Sequence, residues 1–174
     1  MGGVTDPSPV RAAWQRAQAR VAGGDLPGAR EILRAQVRQA TIADDPDLLD
    51  TRRRLAEVHY GLGDLTGARR ELEEAVLAGE PHLGDAHPLM LALRARLGAV
   101  TAEIGNRYEA RRHFAAVAQH GPAVLGPTHT AVRVAEAYLA GRAPQAAAPG
   151  DPPPTWPPPP PRESSGPRSG DGVT

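Results

Sequence analysis

The sequence contains no cysteine and no lysine, and only six of its 174 residues are aromatic. Without cysteine, the chain has no means to form disulfides, thiolate zinc sites, iron–sulfur clusters or cysteine nucleophiles. With so few rings, a core must be built from Leu, Val and Ala, which favours close helix packing over a β-sandwich. All 20 basic residues are arginine, and 20 acidic residues balance them. We therefore expect no nucleic-acid binding, which normally needs an excess of basic charge.

The sequence also lacks the patterns of membrane insertion, secretion and catalysis. No run approaches the roughly 18 apolar residues of a membrane helix, and residues 1–20 lack the apolar segment of a secretory signal. We therefore predict a cytoplasmic protein that does not insert into membranes. Serine occurs only at 8, 164, 165 and 169, and neither GxxxxGK[ST] nor HExxH is present. These absences predict a protein that is not an enzyme and uses no cofactor.

Composition divides the chain into three parts. Residues 1–8 are predicted to be a short flexible lead, and residues 9–141 a helical domain. Residues 142–174 hold 11 of the 19 prolines and no Leu, Ile or Phe, so a disordered Pro-rich tail is predicted there. Within it, residues 157–162 satisfy the PxxPxR spacing of segments that dock on SH3-like domains. A passive spacer is the other interpretation of this tail.

Residues 9–141 carry a helical stripe that occurs three times, at offsets of 39 and then 42 residues. The stripes begin at Leu26, Leu65 and Arg107, each two residues after a turn glycine at Gly24, Gly63 or Gly105. The loop sequence LGDAHP at 83–88 also returns as LGPTHT at 125–130. A fixed period of about 40 residues with two helices per unit predicts an all-α solenoid.

These units resemble the tetratricopeptide repeat (TPR) family, in particular its 42-residue variety found in kinesin light chains and many bacterial proteins. The matching positions are a small residue in the first helix, a turn glycine, and a small and a large residue in the second helix. They are Leu55-Ala56, Gly63-Asp64-Leu65 and Ala68 in one unit, then Leu97-Gly98, Gly105, Ala110 and Phe114 in the next. The resemblance implies a right-handed α-solenoid of about three helix-turn-helix pairs. A last helix at about 128–140 would cap the third pair with Val132, Ala135 and Leu139.

The resemblance also implies that the first helix of each pair lines a concave, ligand-binding face. We expect Tyr60 and Trp14 to bury apolar groups of a protein or peptide partner there, and nearby arginines to attract acids. The candidate groove residues are Arg11, Trp14, Gln18, Arg53, Arg54, Glu57, Tyr60, Arg96 and Glu103. Trp14 has a second interpretation, in which it closes the N-terminal end of the core.

Arg54 and Arg96 stand at equivalent positions, 42 residues apart. In kinesin-light-chain-like repeats this position is commonly an asparagine that holds the peptide backbone. An arginine there favours a carboxylate ligand instead. The alternative is that both arginines pair inside the groove with acids such as Asp50 and Glu103.

The six histidines do not predict a metal site, because no third ligand accompanies any close pair. They are His59, His82, His87, His113, His120 and His129. His87 and His129 belong to the repeated loop, where we expect them to cap or pack at a helix start.

The sequence therefore predicts a non-catalytic adaptor that binds a protein or peptide in the concave groove of a solenoid. Two other functions stay open. One is a self-associating structural scaffold, with Trp14 near one end sealing a homodimer. The other is a regulatory or sensory module that works with a separate DNA-binding or signalling protein.

Overall fold

The computed structural model of the protein describes residues 9–141, which form seven α-helices joined by short turns. They are α1 (Pro9–Ala22), α2 (Leu26–Gln39), α3 (Pro46–Gly61), α4 (Leu65–Leu83), α5 (Pro88–Ile104), α6 (Arg107–Val124) and α7 (Thr130–Leu139). No strand occurs between residues 9 and 141, which confirms the all-α prediction for that range. The predicted lead at 1–8 and tail at 142–174, with its PxxPxR segment, lie outside the described residues. None of the seven helices is long and apolar enough to cross a membrane.

The helices form three pairs and a closing helix, stacked in chain order. Each helix packs against the next one along the chain, from α1 on α2 to α6 on α7. In addition, the backbone of α1 approaches α3, that of α3 approaches α5, and that of α5 approaches α7. No two even-numbered helices of the described region approach in this way. The odd-numbered helices therefore line the inner, concave side of the stack.

The turn inside each helix pair contains the predicted glycine. Gly24, Gly63 and Gly105 have φ values of 79°, 77° and 94°, a left-handed conformation that strains any residue with a Cβ. The second helix of each pair begins two residues after this glycine. The residue between them is its N-cap, and these caps are Asp25, Asp64 and Asn106. Each cap side chain accepts a hydrogen bond from the backbone N–H three residues later, which stabilises the helix start.

A histidine in each copy of the repeated loop caps the helix that follows. Nδ1 of His87 accepts a hydrogen bond from the backbone N–H of Leu89, and Nδ1 of His129 accepts one from Ala131, both at 3.2 Å. These side chains begin α5 and α7. The prediction that the two loop histidines cap helices is therefore confirmed.

The core uses small residues where paired helices come close. Gly98 of α5 faces Phe114 of α6, and a Cβ on Gly98 would lie only 3.1 Å from the ring. The ring of Tyr138 lies 4.8 Å from that of Phe114, centre to centre, so α7 joins the same cluster. Val132 and Ala135 are fully buried and Leu139 is half-buried, which confirms α7 as the cap of the third pair.

Candidate ligand-binding groove

Two arginine–aromatic stacks connect successive inner helices. The guanidinium carbon of Arg54 on α3 lies 4.5 Å from the ring centre of Trp14 on α1. In the same way, Arg96 on α5 lies 4.3 Å from the ring centre of Tyr60 on α3. Such cation–π contacts contribute roughly 1 kcal/mol when partly desolvated. The groove therefore presents guanidinium groups covering aromatic rings, whereas the sequence predicted open rings with arginines beside them.

Trp14 is fixed from two sides. Its indole N–H donates to Oγ1 of Thr51 at 2.8 Å, and the Thr51 hydroxyl donates to the backbone oxygen of Asp47 at 2.6 Å. The half-buried ring also packs against the N-terminal core cluster that contains Leu33 and Leu55. Trp14 therefore contacts both the core and the groove arginine, and the two interpretations of this residue are compatible.

Acidic side chains already hold two of the groove arginines. Asp50 lies 2.6 Å from Arg53 and 2.9 Å from Arg54. Glu57 lies 2.7 Å from Nη1 of Arg53. Arg53 as a residue is only 8% exposed. Because all four side chains lie on α3 at helical spacings of three and four residues, they form one neutral network. The alternative interpretation of Arg54, pairing with Asp50 inside the groove, matches this geometry.

Arg96 differs from its neighbours because no acid of the described chain contacts it. It is 8% exposed, and its Nε has no hydrogen-bond partner within residues 9–141. Burial lowers the pKa of Arg96, and the carboxylates of Glu57 and Glu103 act against that shift without contacting the guanidinium. The guanidinium is therefore largely stripped of water without a counter-ion in direct contact.

The pKa values of Glu57 and Tyr60, which lie near Arg96, are raised by burial. The pKa of Glu57 is raised by burial, against the opposing charges of Arg53, Arg96 and Arg54. The pKa of Tyr60 is raised first by burial and then by the nearby carboxylate of Glu103. The alternative in which Arg96 forms an ion pair with Glu103 is not met among the described residues, where Glu103 acts on Arg96 only through its charge.

Comparison with solved structures identifies the architecture. Two crystal structures of a kinesin light chain-like protein from Podosopora anserina, one of them a single-residue variant, contain nearly identical TPR-like repeats. They superpose on this chain with TM-scores of 0.70 and 0.69 at 23% and 22% identity, over 78% and 80% of its length. The chain has the TPR-like fold. The resemblance deduced from the sequence is therefore confirmed at the level of the fold.

The two solved chains are longer than the part that this chain matches. The match spans 66% and 67% of the two solved chains, about two thirds of their length. Neither protein-family models nor curated proteins match the sequence. The similarity therefore concerns the fold, and the chemistry of the TPR-like groove depends on the residues of this chain.

The TPR-like stack brings seven of the nine predicted groove residues together. Those seven are Trp14, Arg53, Arg54, Glu57, Tyr60, Arg96 and Glu103. The other two, Arg11 and Gln18, are exposed on α1 and belong to neither arginine–aromatic stack. No group of three histidine or carboxylate side chains suited to hold a metal ion occurs in the described part of the chain.

Proposed function

We propose that this protein is a non-catalytic binding module that holds an acidic protein or peptide segment against α1, α3 and α5. The observation that carries the proposal is Arg96, a nine-tenths buried guanidinium that no acid contacts within the described residues. Keeping an unpaired charge out of water is costly. A ligand carboxylate would offset this cost with charge-assisted hydrogen bonds.

The surroundings of Arg96 favour one acidic contact over a broad basic surface. Arg53 and Arg54 are already neutralised by Asp50 and Glu57, so they attract a ligand only weakly. Tyr60 holds the Arg96 guanidinium in one orientation by stacking. The ligand therefore needs one well-placed Asp, Glu or chain-terminal carboxylate.

Small side chains of α5 lie beside Arg96. Ala92, Ala99 and Glu103 share the helical face of Arg96, because they lie four before, three after and seven after it in sequence. Two of these residues are alanines, so a peptide backbone meets little obstruction beside Arg96. Apolar ligand groups would contact the uncovered edges of Tyr60 and Trp14, since arginines cover one face of each ring.

Trp14 supports this groove more directly than a dimer contact. Its N–H donates inward to Thr51 and its ring lies under Arg54. The indole therefore contacts residues of its own chain on two sides. We therefore assign Trp14 to supporting the groove from within its own chain and not to a dimer contact.

The proposal is tested by selecting from a random library of ten-residue peptides with the full chain. We expect the wild type to enrich peptides with an acidic residue at one fixed position. Arg96→Gln should weaken binding of an enriched peptide about thirtyfold, because losing one partner of a desolvated charge pair costs at least about 2 kcal/mol. Arg111→Gln removes the same charge from an exposed position on α6 and should leave binding unchanged.

Two results would count against the groove. One is enrichment of the same acidic peptides by wild type and Arg96→Gln with equal affinity. The other is an equal loss of binding in Arg96→Gln and Arg111→Gln, which would indicate a general effect of net charge.

A further inference from the structure

His113 lies in the core of the third unit without a partner for either ring nitrogen. The side chain is 2% exposed, and neither Nδ1 nor Nε2 forms a hydrogen bond within residues 9–141. The nearest acidic atom is Oε1 of Glu109, 4.0 Å from Nε2. At that distance Glu109 does not form a hydrogen bond with the ring.

The charged groups around His113 are mostly cationic and come from three helices. Burial lowers the pKa of His113 from 6.5 to about 4, helped by Arg112 on α6, Arg94 on α5 and Arg69 on α4. The nearby acids are engaged elsewhere. Glu109 lies 3.0 Å from Arg69. Arg94 is held by Glu80 and Asp85 at 2.9 and 2.6 Å. A protonated ring would therefore have only Glu109 as a counter-charge, at 4.0 Å and shared with Arg69.

In the preceding unit, the position equivalent to His113 is occupied by an acid that forms an ion pair. Glu71 lies 42 residues before His113, and Arg52 lies 42 residues before Arg94. Arg52 and Glu71 form an ion pair of 2.6 Å that joins α3 to α4. In the third unit a histidine stands in place of the acid, and Nε of Arg94 has no partner in the described structure. At the equivalent positions of α5 and α6, an arginine and a histidine therefore stand where α3 and α4 have an arginine–glutamate pair.

The neighbour of His113 anchors the end of the stack. Phe114 packs against Gly98 of α5 and Tyr138 of α7, so it holds α6 and α7 onto the rest of the domain. In a solenoid each unit contacts only its neighbours, and a terminal unit can open while the others remain folded. A charge on His113 would act at the seam where such an opening begins.

We propose that His113 makes α6 and α7 an acid-releasable end of the solenoid, which detaches from α5 when the ring is protonated while α1–α4 remain folded. This opening does not require a ligand in the groove. It also affects that groove, because α5 carries Arg96 and loses its outer neighbour when α6 leaves.

The direction and size of the response follow from linkage. The closed state keeps His113 neutral down to about pH 4, whereas in the open state the ring binds a proton near its ordinary value of 6.5. The closed state is therefore favoured fully above pH 6.5, and this advantage is lost as the pH falls toward 4. Between pH 7 and pH 5 the opening equilibrium constant should rise about twentyfold.

Amide hydrogen exchange of the full chain at pH 7 and pH 5 tests this proposal. After correction for intrinsic exchange rates, opening of α6 and α7 should rise about twentyfold relative to α1 and α2, which contain no histidine. In His113→Leu and His113→Gln this relative change should disappear. His120→Gln on the same helix and His129→Ser, which keeps a capping oxygen, should retain it.

Two outcomes would overturn the proposal. The first is an equal change in protection in α6–α7 and in α1–α2 of the wild type, which indicates global unfolding. The second is a pH response that persists in both His113 variants. Neither measurement involves a ligand, so failure here leaves the groove proposal untouched.

Discussion

Replacing Phe114 with alanine should lower the free energy of unfolding by about 4 kcal/mol. Phe114 is the only phenylalanine of the sequence and is 1% exposed. Its ring fills the space over Gly98 and contacts Tyr138, so truncation leaves a cavity where three helices meet. Rigid helices would close such a cavity only in part, and the lost contacts add to the lost apolar burial.

Chemical denaturation followed by circular dichroism measures this change. Tyr108→Ala is the matched control, because Tyr108 is an aromatic residue of the same helix that is 84% exposed. It should change the free energy of unfolding by less than about 0.5 kcal/mol. Equal costs for the two variants would show that the C-terminal unit does not depend on the Phe114 cluster.

A double variant tests the contact itself. Gly98→Ala brings a Cβ within 3.1 Å of the Phe114 ring, and this close contact opposes the gain of about 1 kcal/mol in helix propensity that alanine brings. Once Phe114 is alanine, the same substitution should be more favourable, since the ring that it would meet is gone. Additive effects would mean that the two residues do not interact.

The fold could be predicted because its determinants are local and periodic. The spacing of apolar residues selects the buried face of each helix, and the glycines at 24, 63 and 105 fix the turns by their positive φ. These features act within one unit and repeat in the next, so three imperfect copies reinforce one another. The capping histidines could be predicted for the same reason, since the loop that holds them occurs twice.

The contacts between units were harder to predict because they do not follow the period. Trp14 precedes its arginine by 40 residues, whereas Tyr60 precedes its arginine by 36. The equivalence of Arg54 and Arg96 therefore identified the two arginines but not the rings that they cover. Which ring meets which guanidinium depends on how far neighbouring helices are shifted along their axes.

The sequence also contains patterns for other parts of the groove and core. The network of Asp50, Arg53 and Glu57 has spacings of three and four residues, which predict ion pairs on one helix face. His113 aligns with Glu71 at the 42-residue period, and a base in place of a paired acid marks an unusual site. The absence of a counter-ion for Arg96 left no such pattern, because it depends on the burial of one side chain.

Replacing Asp64 with alanine should lower the free energy of unfolding by about 3 kcal/mol, because this carboxylate has two functions. One oxygen accepts from the backbone N–H of Gly67 at 2.8 Å and caps α4. The other lies 2.7 Å from Nδ1 of His59, which is fully buried and whose Nε2 has no partner in the described residues. Loss of the cap costs about 1 kcal/mol, and leaving a buried ring nitrogen unpaired costs about 1–3 kcal/mol more.

Asp25→Ala separates these two contributions. Asp25 caps α2 through Gly28 in the same way but has only the exposed Arg20 as a second partner. It should therefore cost only about 1 kcal/mol. In a His59→Leu background, the cost of Asp64→Ala should fall to that of Asp25→Ala, since only the cap remains to be lost. If Asp64→Ala and Asp25→Ala cost the same in the wild-type background, the contact with His59 does not contribute to stability.

The pH dependence of these variants gives a second measurement of the Asp64 cap. The pKa of Asp64 is lowered mainly by the Gly67 N–H and further by His59. Its stabilising effect is therefore complete above the ordinary range of an aspartate, near pH 4, and is lost as the pH falls through the lowered value. Asp64→Asn keeps a good capping oxygen without a titrating charge. The free energy of unfolding of Asp64→Asn should fall less steeply below pH 4 than that of the wild type, because the neutral amide has no charged form to lose.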